Sequence, residues 1–182
     1  LTKSAGIEGT AILATDREPE LKKAMSATVV QNAKNFYDQI SVVKDALTAC
    51  KTGGVHAMHD PTEGGVAGGI HEMADASKLG VKVFEEAISV QSETAKICSY
   101  FQIDPLQLIG SGALLISAEA ESASEIVKNL KLQLIQASVI GEMLENVDQR
   151  ILTQKDGETK ALPRPLSDHL WTALRRKNPL TP

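Results

Sequence analysis

Cysteine is scarce in this chain of 182 residues: only Cys50 and Cys98 occur, far apart and with no second sulfur or histidine at metal-ligand spacing. That scarcity argues against a disulfide framework and a zinc site, and it fits a reducing cytoplasm. Long apolar runs are missing as well. No stretch approaches the roughly 20 uninterrupted apolar residues of a membrane helix, and the N-terminus lacks the regions of a signal peptide. A surplus of positive charge is absent too. A net charge of -4 and a pI near 5.6 leave no basic face for a phosphate backbone, so nucleic acid is not an expected partner. With three Phe, two Tyr and one Trp, the core must be built from Ala, Val, Ile and Leu.

What is present is an alternation of short apolar runs and helical periods. Gly6 to Ala14 reads as a turn feeding a strand. Asp16-Arg17-Glu18-Pro19 offers a cap and a first-turn proline for a short helix reaching about Ser26. From Tyr37 to Lys51, apolar residues at Ile40, Val43, Ala46, Leu47 and Cys50 recur at three- and four-residue steps, the mark of an amphipathic helix. Val55 to His59 is a short strand, Asp60 to Gly65 a turn, and Val66 to about Lys78 a helix of small residues. Gly80 to Phe84 alternates as a strand, and Ser92 to Phe101 follows as a helix. A buried strand is expected over Ala113 to Ser117. Next come a helix over Glu119 to Leu132 with a capping-box pair in Ser122 and Glu125, and a strand over Ala137 to Met143. Ile151 to Leu162 reads as a hairpin around Asp156-Gly157, and Asp168 to Arg176 as a short helix. This alternation favours an α/β layered domain over 1–176, with 177–182 as a tail. The start at Leu1, directly on an element, suggests a chain that begins inside a longer one.

The sharpest feature for chemistry is His59-Asp60-Pro61-Thr62-Glu63-Gly64-Gly65, between a strand end and a helix start. Two readings stay open. In one, free amides and the positive end of the helix dipole hold a phosphate or carboxylate, the glycines admit it, and Asp60 holds magnesium or orients a substrate. In the other, Asp60 or Thr62 caps the helix and the glycines serve the turn and close packing. Gly68 and Gly69 each cost roughly 1 kcal/mol relative to Ala within a helix, which close packing would offset. His56, His59 and His71 make a weak metal cluster, and no metal ligand is assigned among them. Glu72 and Asp75 read as a solvated face, and both cysteines as core residues.

Met58 to Gly69 resembles the His-Asp-Pro-Thr-Arg-Gly-Gly motif of HypE-like proteins. Glu85 to Val90, Ile103-Asp104-Pro105-Leu106, Gly110 to Ile116 and Ile140-Gly141-Glu142 fall in the order found in the same family. This is the AIR synthase-related superfamily of aminoimidazole ribonucleotide synthetase, HypE and selenophosphate synthetase, and the likeness covers about Gly6 to Gly141. It implies a three-layer α/β/α domain with partial ferredoxin-like topology. It also implies a preceding ATP-binding domain that forms a homodimer, and a small-molecule substrate activated by phosphorylation with ATP and Mg2+. The matching positions are Asp60 and Thr62 as catalytic residues and Glu63, Gly64 and Gly65 as cofactor-binding ones.

Two departures stand out. Glu63 replaces the motif's Arg, and a carboxylate there repels phosphate where a guanidinium would pair with it. The resemblance also implies a substrate-bearing terminal cysteine in HypE itself. This sequence closes on Arg176 to Pro182 without one, and if that is the natural end, the HypE dehydration would not proceed in the same way. The reading is therefore the substrate-side domain of an ATP-dependent enzyme, inactive alone. A non-catalytic binding or assembly module and a hydrogenase-maturation factor are the alternatives.

Overall fold

The computed structural model describes residues 1–176. Residues 177–182, the expected tail, lie outside them. Two sheets organise the chain: a two-stranded antiparallel pair of β1 (Val55–His59) with β3 (Leu115–Ala118), and a four-stranded sheet in the order β4-β2-β5-β6. In the larger sheet β2 (Gly80–Phe84) pairs antiparallel with β4 (Gly141–Leu144) and parallel with β5 (Arg150–Thr153). The hairpin partner β6 (Thr159–Ala161) completes it. The alternation expected of an α/β domain is thus present, but the strands divide between two sheets.

Each sheet packs against helices whose periodicity the sequence displays. On α5 (Gly65–Ser77), Val66, Ala67, Ile70 and Ala74 share one stripe and pack with Val81, Val83 and Leu152 of the larger sheet. Two further helices, α4 (Val43–Thr52) and α7 (Ala120–Leu132), cover the smaller sheet through Ala49, Ile126 and Leu130. A third cluster is mainly helical, with Ile103 and Leu108 of the loop before β3 added to it. It joins α1 (Ile7–Asp16), α2 (Glu18–Ala24), α3 (Ala27–Lys34), α6 (Ser92–Phe101) and α8 (His169–Arg175) around Leu13, Leu21, Val30, Ile97, Phe101 and Leu170.

Several expectations need correction. Gly6 to Ala14 is not a strand. It is most of α1, entered through Gly6 in the left-handed conformation, with six of the helix's ten residues buried. A short helix buried on most sides has no polar face, so its apolar run imitates a core strand. The residues after Ser26, given no element, form α3, capped by the Ser26 hydroxyl accepting from the Val29 amide at 3.3 Å. The helix expected from Tyr37 begins only at Val43, because Asn35–Gln39 forms a 3-10 turn. Ser122 makes no capping box: α7 starts at Ala120, and Glu125 pairs instead with Lys128. The strand expected over Ala137 to Met143 starts at Gly141, leaving Ala137 in a single bridge to Thr2. Cys98 is buried, with its thiol pushed up to about 12 by desolvation, whereas Cys50 is exposed and not a core residue.

His71 lies on the buried side of α5, with Nε2 3.3 Å from the Leu162 carbonyl and Nδ1 without a partner among the described residues. Desolvation holds its pKa below the usual imidazole value, and the nearby Arg164 and Arg150 add to the effect. The unfolded chain therefore takes up a proton at a pH where the fold refuses it. Stability is complete above about pH 6.5, the unfolded value, and falls as pH drops through the lower folded value. Urea midpoints measured from pH 7.5 to 5.5 are expected to decline, and less steeply in His71→Gln. An equal slope in both proteins would exclude His71 as the source.

Candidate functional site

The turn from β1 into α5 is held by main-chain contacts before any side chain is considered. Gly110 donates its amide to the carbonyls of Pro61 (3.1 Å) and Thr62 (3.3 Å), tying this turn to the loop that precedes β3. Gly65 donates to the Thr62 carbonyl at 3.0 Å. Gly64 and Gly65 both have positive φ, at 80° and 60°. A Cβ on Gly65 would lie 2.4 Å from the Leu108 carbonyl oxygen and 2.8 Å from that of Leu106, so only glycine fits. Gly69 serves close packing as well, since its Cβ position meets Pro61 and Leu115 within 3 Å.

The first amide of this helix start already has an anion. Asp168, 1% exposed, accepts from Gly64 N at 2.7 Å, from Ile109 N at 3.2 Å and from Leu170 N at 2.7 Å. One carboxylate thus caps α5 and α8 together and anchors the loop between them. Pro165 packs 3.4 Å from the Cβ position of Gly64, and the Trp171 indole donates to Glu63 Oε1 at 3.2 Å. In this geometry Gly64 is sealed by Asp168 and Pro165 and Gly65 by the Leu106 and Leu108 carbonyls, so phosphate does not fit at the Gly64 amide. Glu63, exposed, is a partner for Trp171. Thr62 is also exposed.

Asp60 faces the other way, into the corner formed by α1 and the loop at Gly112. It is half-buried, and its Oδ1 is sealed from solvent without a hydrogen-bond partner among the described residues. Glu8, in the first turn of α1, has its Oε2 in the same condition. Desolvation raises the pKa of Asp60 and Glu8 raises it further, against the lowering effects of the Gly112 amide, His59 and Lys3. Lys3 cannot neutralise the corner freely, because its Nζ donates to the carbonyls of Gln39 (3.0 Å), Ser41 (2.8 Å) and Gly112 (2.7 Å).

Glu8 is the site residue that the sequence did not reveal. Reading Gly6 to Ala14 as a strand removed it from consideration, and nothing in the spacing links positions 8 and 60. The histidines do not converge: His59 Nε2 meets Glu72 Oε2 at 2.6 Å on the surface, His71 is buried elsewhere, and His56 is exposed. Glu72 and Asp75 are more than a solvated face, since Asp75 holds both Arg150 (2.8 Å) and Arg164 (2.6 Å). Among the described residues no three His, Cys, Asp or Glu side chains form a metal cluster. Oxygen donors such as Asp60 and Glu8 suit magnesium, but two carboxylates supply only part of its octahedral shell, so phosphate oxygens or water must supply the rest.

The model of the AIR synthase related protein, C-terminal domain, matches residues 1–153. The chain belongs to that family. Carbamoyl dehydratase HypE of Rhizobium leguminosarum bv. viciae is 32% identical over 107 residues, covering 57% of this chain and 30% of that protein. The crystal structure of Escherichia coli HypE superposes with a TM-score of 0.74 at 23% identity, over 93% of this chain and 50% of that one. A HypE structure in complex with ATP gives 0.67 at 20%, over 92% and 50%. The chain therefore carries the AIR synthase-like fold and spans at most about half the length of these proteins. No helix among the described residues is long and apolar enough to cross a membrane.

The Asp168 cap yields a stability prediction. Asp168→Ala leaves three amides without their charged acceptor and is expected to cost on the order of 3 kcal/mol. Urea denaturation measures it, and a change within about 0.5 kcal/mol, the scale of an ordinary surface substitution, would show that the cap is incidental.

Proposed function

We propose that residues 1–176 form the substrate-side domain of an ATP-dependent enzyme of the HypE kind, completed by an ATP-binding half. The observation that carries this reading is the Glu8–Asp60 pair, two carboxylates each with a solvent-sealed, unpartnered oxygen at the corner next to the family motif. ATP with magnesium supplies the phosphoryl group and offsets its charge. Asp60 then takes the proton that the acceptor group releases, for a carboxamide from its N–H, as the acceptor oxygen is phosphorylated. Glu8 acts through Asp60, keeping its carboxyl ready to hold a proton nearer neutral pH than an isolated aspartate would. Thr62 offers its hydroxyl to the same small-molecule substrate. The phosphate contacts expected of Gly64 and Gly65 fall instead to the ATP-binding half, because Asp168 holds the Gly64 amide.

Hydrogenase maturation is the specific process that the relatives favour. The matched curated proteins are carbamoyl dehydratases HypE and hydrogenase expression or formation proteins, so a carboxamide oxygen is the acceptor class we assign. The homodimer and the cytoplasmic setting belong to the same proposal.

The test is substrate-dependent ATP turnover by the enzyme containing both halves. Asp60→Asn should lower kcat at least about a hundredfold, the lower end of the range for loss of a general base. In Glu8→Gln the repulsion that lifts the Asp60 pKa is gone, so the acid limb of the pH–rate profile should move to lower pH. An unmoved limb, or full activity in Asp60→Asn, would overturn the assignment. The 182-residue chain alone should show no turnover.

A further inference from the structure

The amphipathic stripe of α4 faces outward. Val43, Leu47 and Cys50 stand at i, i+4 and i+7 and share one side of the helix, yet Val43 is 63% exposed, Leu47 55%, and Cys50 is exposed. The side that α4 buries carries Asp45 and Ala49. A helix whose larger apolar side chains face water while its core side is small and charged is patterned for a second neighbour. The end of α7 continues the surface. Lys44 Nζ donates to the Gln133 carbonyl at 3.0 Å, and the residues flanking Gln133, Leu132 and Leu134, are 70% and 96% exposed. A shallow groove of about 410 Å³ runs along α7 beside Val127, Lys128, Lys131 and Leu132.

We propose that this α4–α7 face is a docking surface for an amphipathic helix of a partner protein that carries acidic residues beside its apolar stripe. Charge selects this occupant. Lys44 and Lys51 run alongside the α4 stripe, and Lys128 and Lys131 edge the α7 groove; of these four only Lys128 has a carboxylate partner, Glu125, among the described residues. A second copy is disfavoured. Two α4 helices crossing antiparallel about Leu47 would set Lys44 of each against Lys51 of the other. An anionic membrane suits lysines and leucines too, but the stripe spans only two turns and the chain's net charge is -4, so the field of the whole chain opposes it.

The purified 182-residue chain is titrated into two fluorescently labelled designed helices with the same leucine stripe, one flanked by Glu and the other by Lys. The Glu-flanked peptide should bind at least about tenfold more tightly, with the advantage shrinking as salt rises. Leu47→Ser should weaken it about tenfold, the loss of a central apolar anchor, and the double variant K44E/K51E should reverse the preference. Each variant is checked by its urea midpoint, which a change at these exposed positions should leave nearly unmoved. Failure of the Glu-flanked peptide to bind, equal binding of both peptides, or unaltered binding by Leu47→Ser would overturn the proposal. Leu47-dependent dimerisation in sedimentation would overturn it in favour of a second copy. Leu47-dependent binding to phosphatidylserine vesicles would overturn it in favour of a membrane.

Discussion

The Asp168 carboxylate is the tie on which the geometry around the family motif depends. A buried carboxylate loses its hydration and must be repaid by donors, and here three main-chain amides from separate segments supply them. Gly64 begins α5, Ile109 precedes the Gly110 loop, and Leu170 opens α8. Because the same anion answers the N-terminal dipoles of two helices, the C-terminal segment is fixed to the motif it covers. Arg17 closes the far end of α8 by donating to the Ala173 carbonyl at 2.9 Å. The motif turn and the Gly110 loop thus come together at a spacing that brings Asp60 to the Gly112 amide.

Glycine does the complementary work. Where Asp168 pulls segments together, Gly65 admits the Leu106 and Leu108 carbonyls and Gly69 the side chains of Pro61 and Leu115, at distances that any Cβ would forbid. The consequence is a division of labour within one motif. Gly64 and Gly65 face the Leu106–Leu108 carbonyls and Pro165 and belong to the packed interior, while Asp60 turns toward α1 and Thr62 toward solvent. A helix start that resembles an anion seat in sequence is here filled by an anion from the same chain.

How much of this was legible in advance follows from the range of each interaction. The strand at Val55–His59, the helix after it, Gly80–Phe84, Ser92–Phe101 and the Asp156-Gly157 hairpin rest on local periodicity and turn chemistry, and the sequence displays both. The helix at Ile7–Asp16 was hidden because burial on most sides erases the polar face that would mark a 3.6-residue period. With that helix went Glu8, whose relation to Asp60 is a tertiary fact spanning 52 positions. The Asp168 cap was hidden for the same reason, being a contact of Gly64 with a residue 104 positions away. On α4 the period was read correctly, but periodicity gives a stripe and not its direction, and the structure turns that stripe away from the core.

Lys3 links the acidic corner to α4. Its ammonium donates to the carbonyls of Gln39 and Ser41 in the lead-in to α4 and to that of Gly112 beside Asp60. It also lies 3.3 Å from Asp45 Oδ1 in the first turn of α4, an ion pair without hydrogen-bond alignment. Asp45 is 1% exposed, so this charge on the inner side of α4 has its cation in the same lysine that lowers the pKa of Asp60. The outward stripe and the acidic corner are therefore opposite ends of one short chain of contacts, from α4 through Lys3 and Gly112 to Asp60.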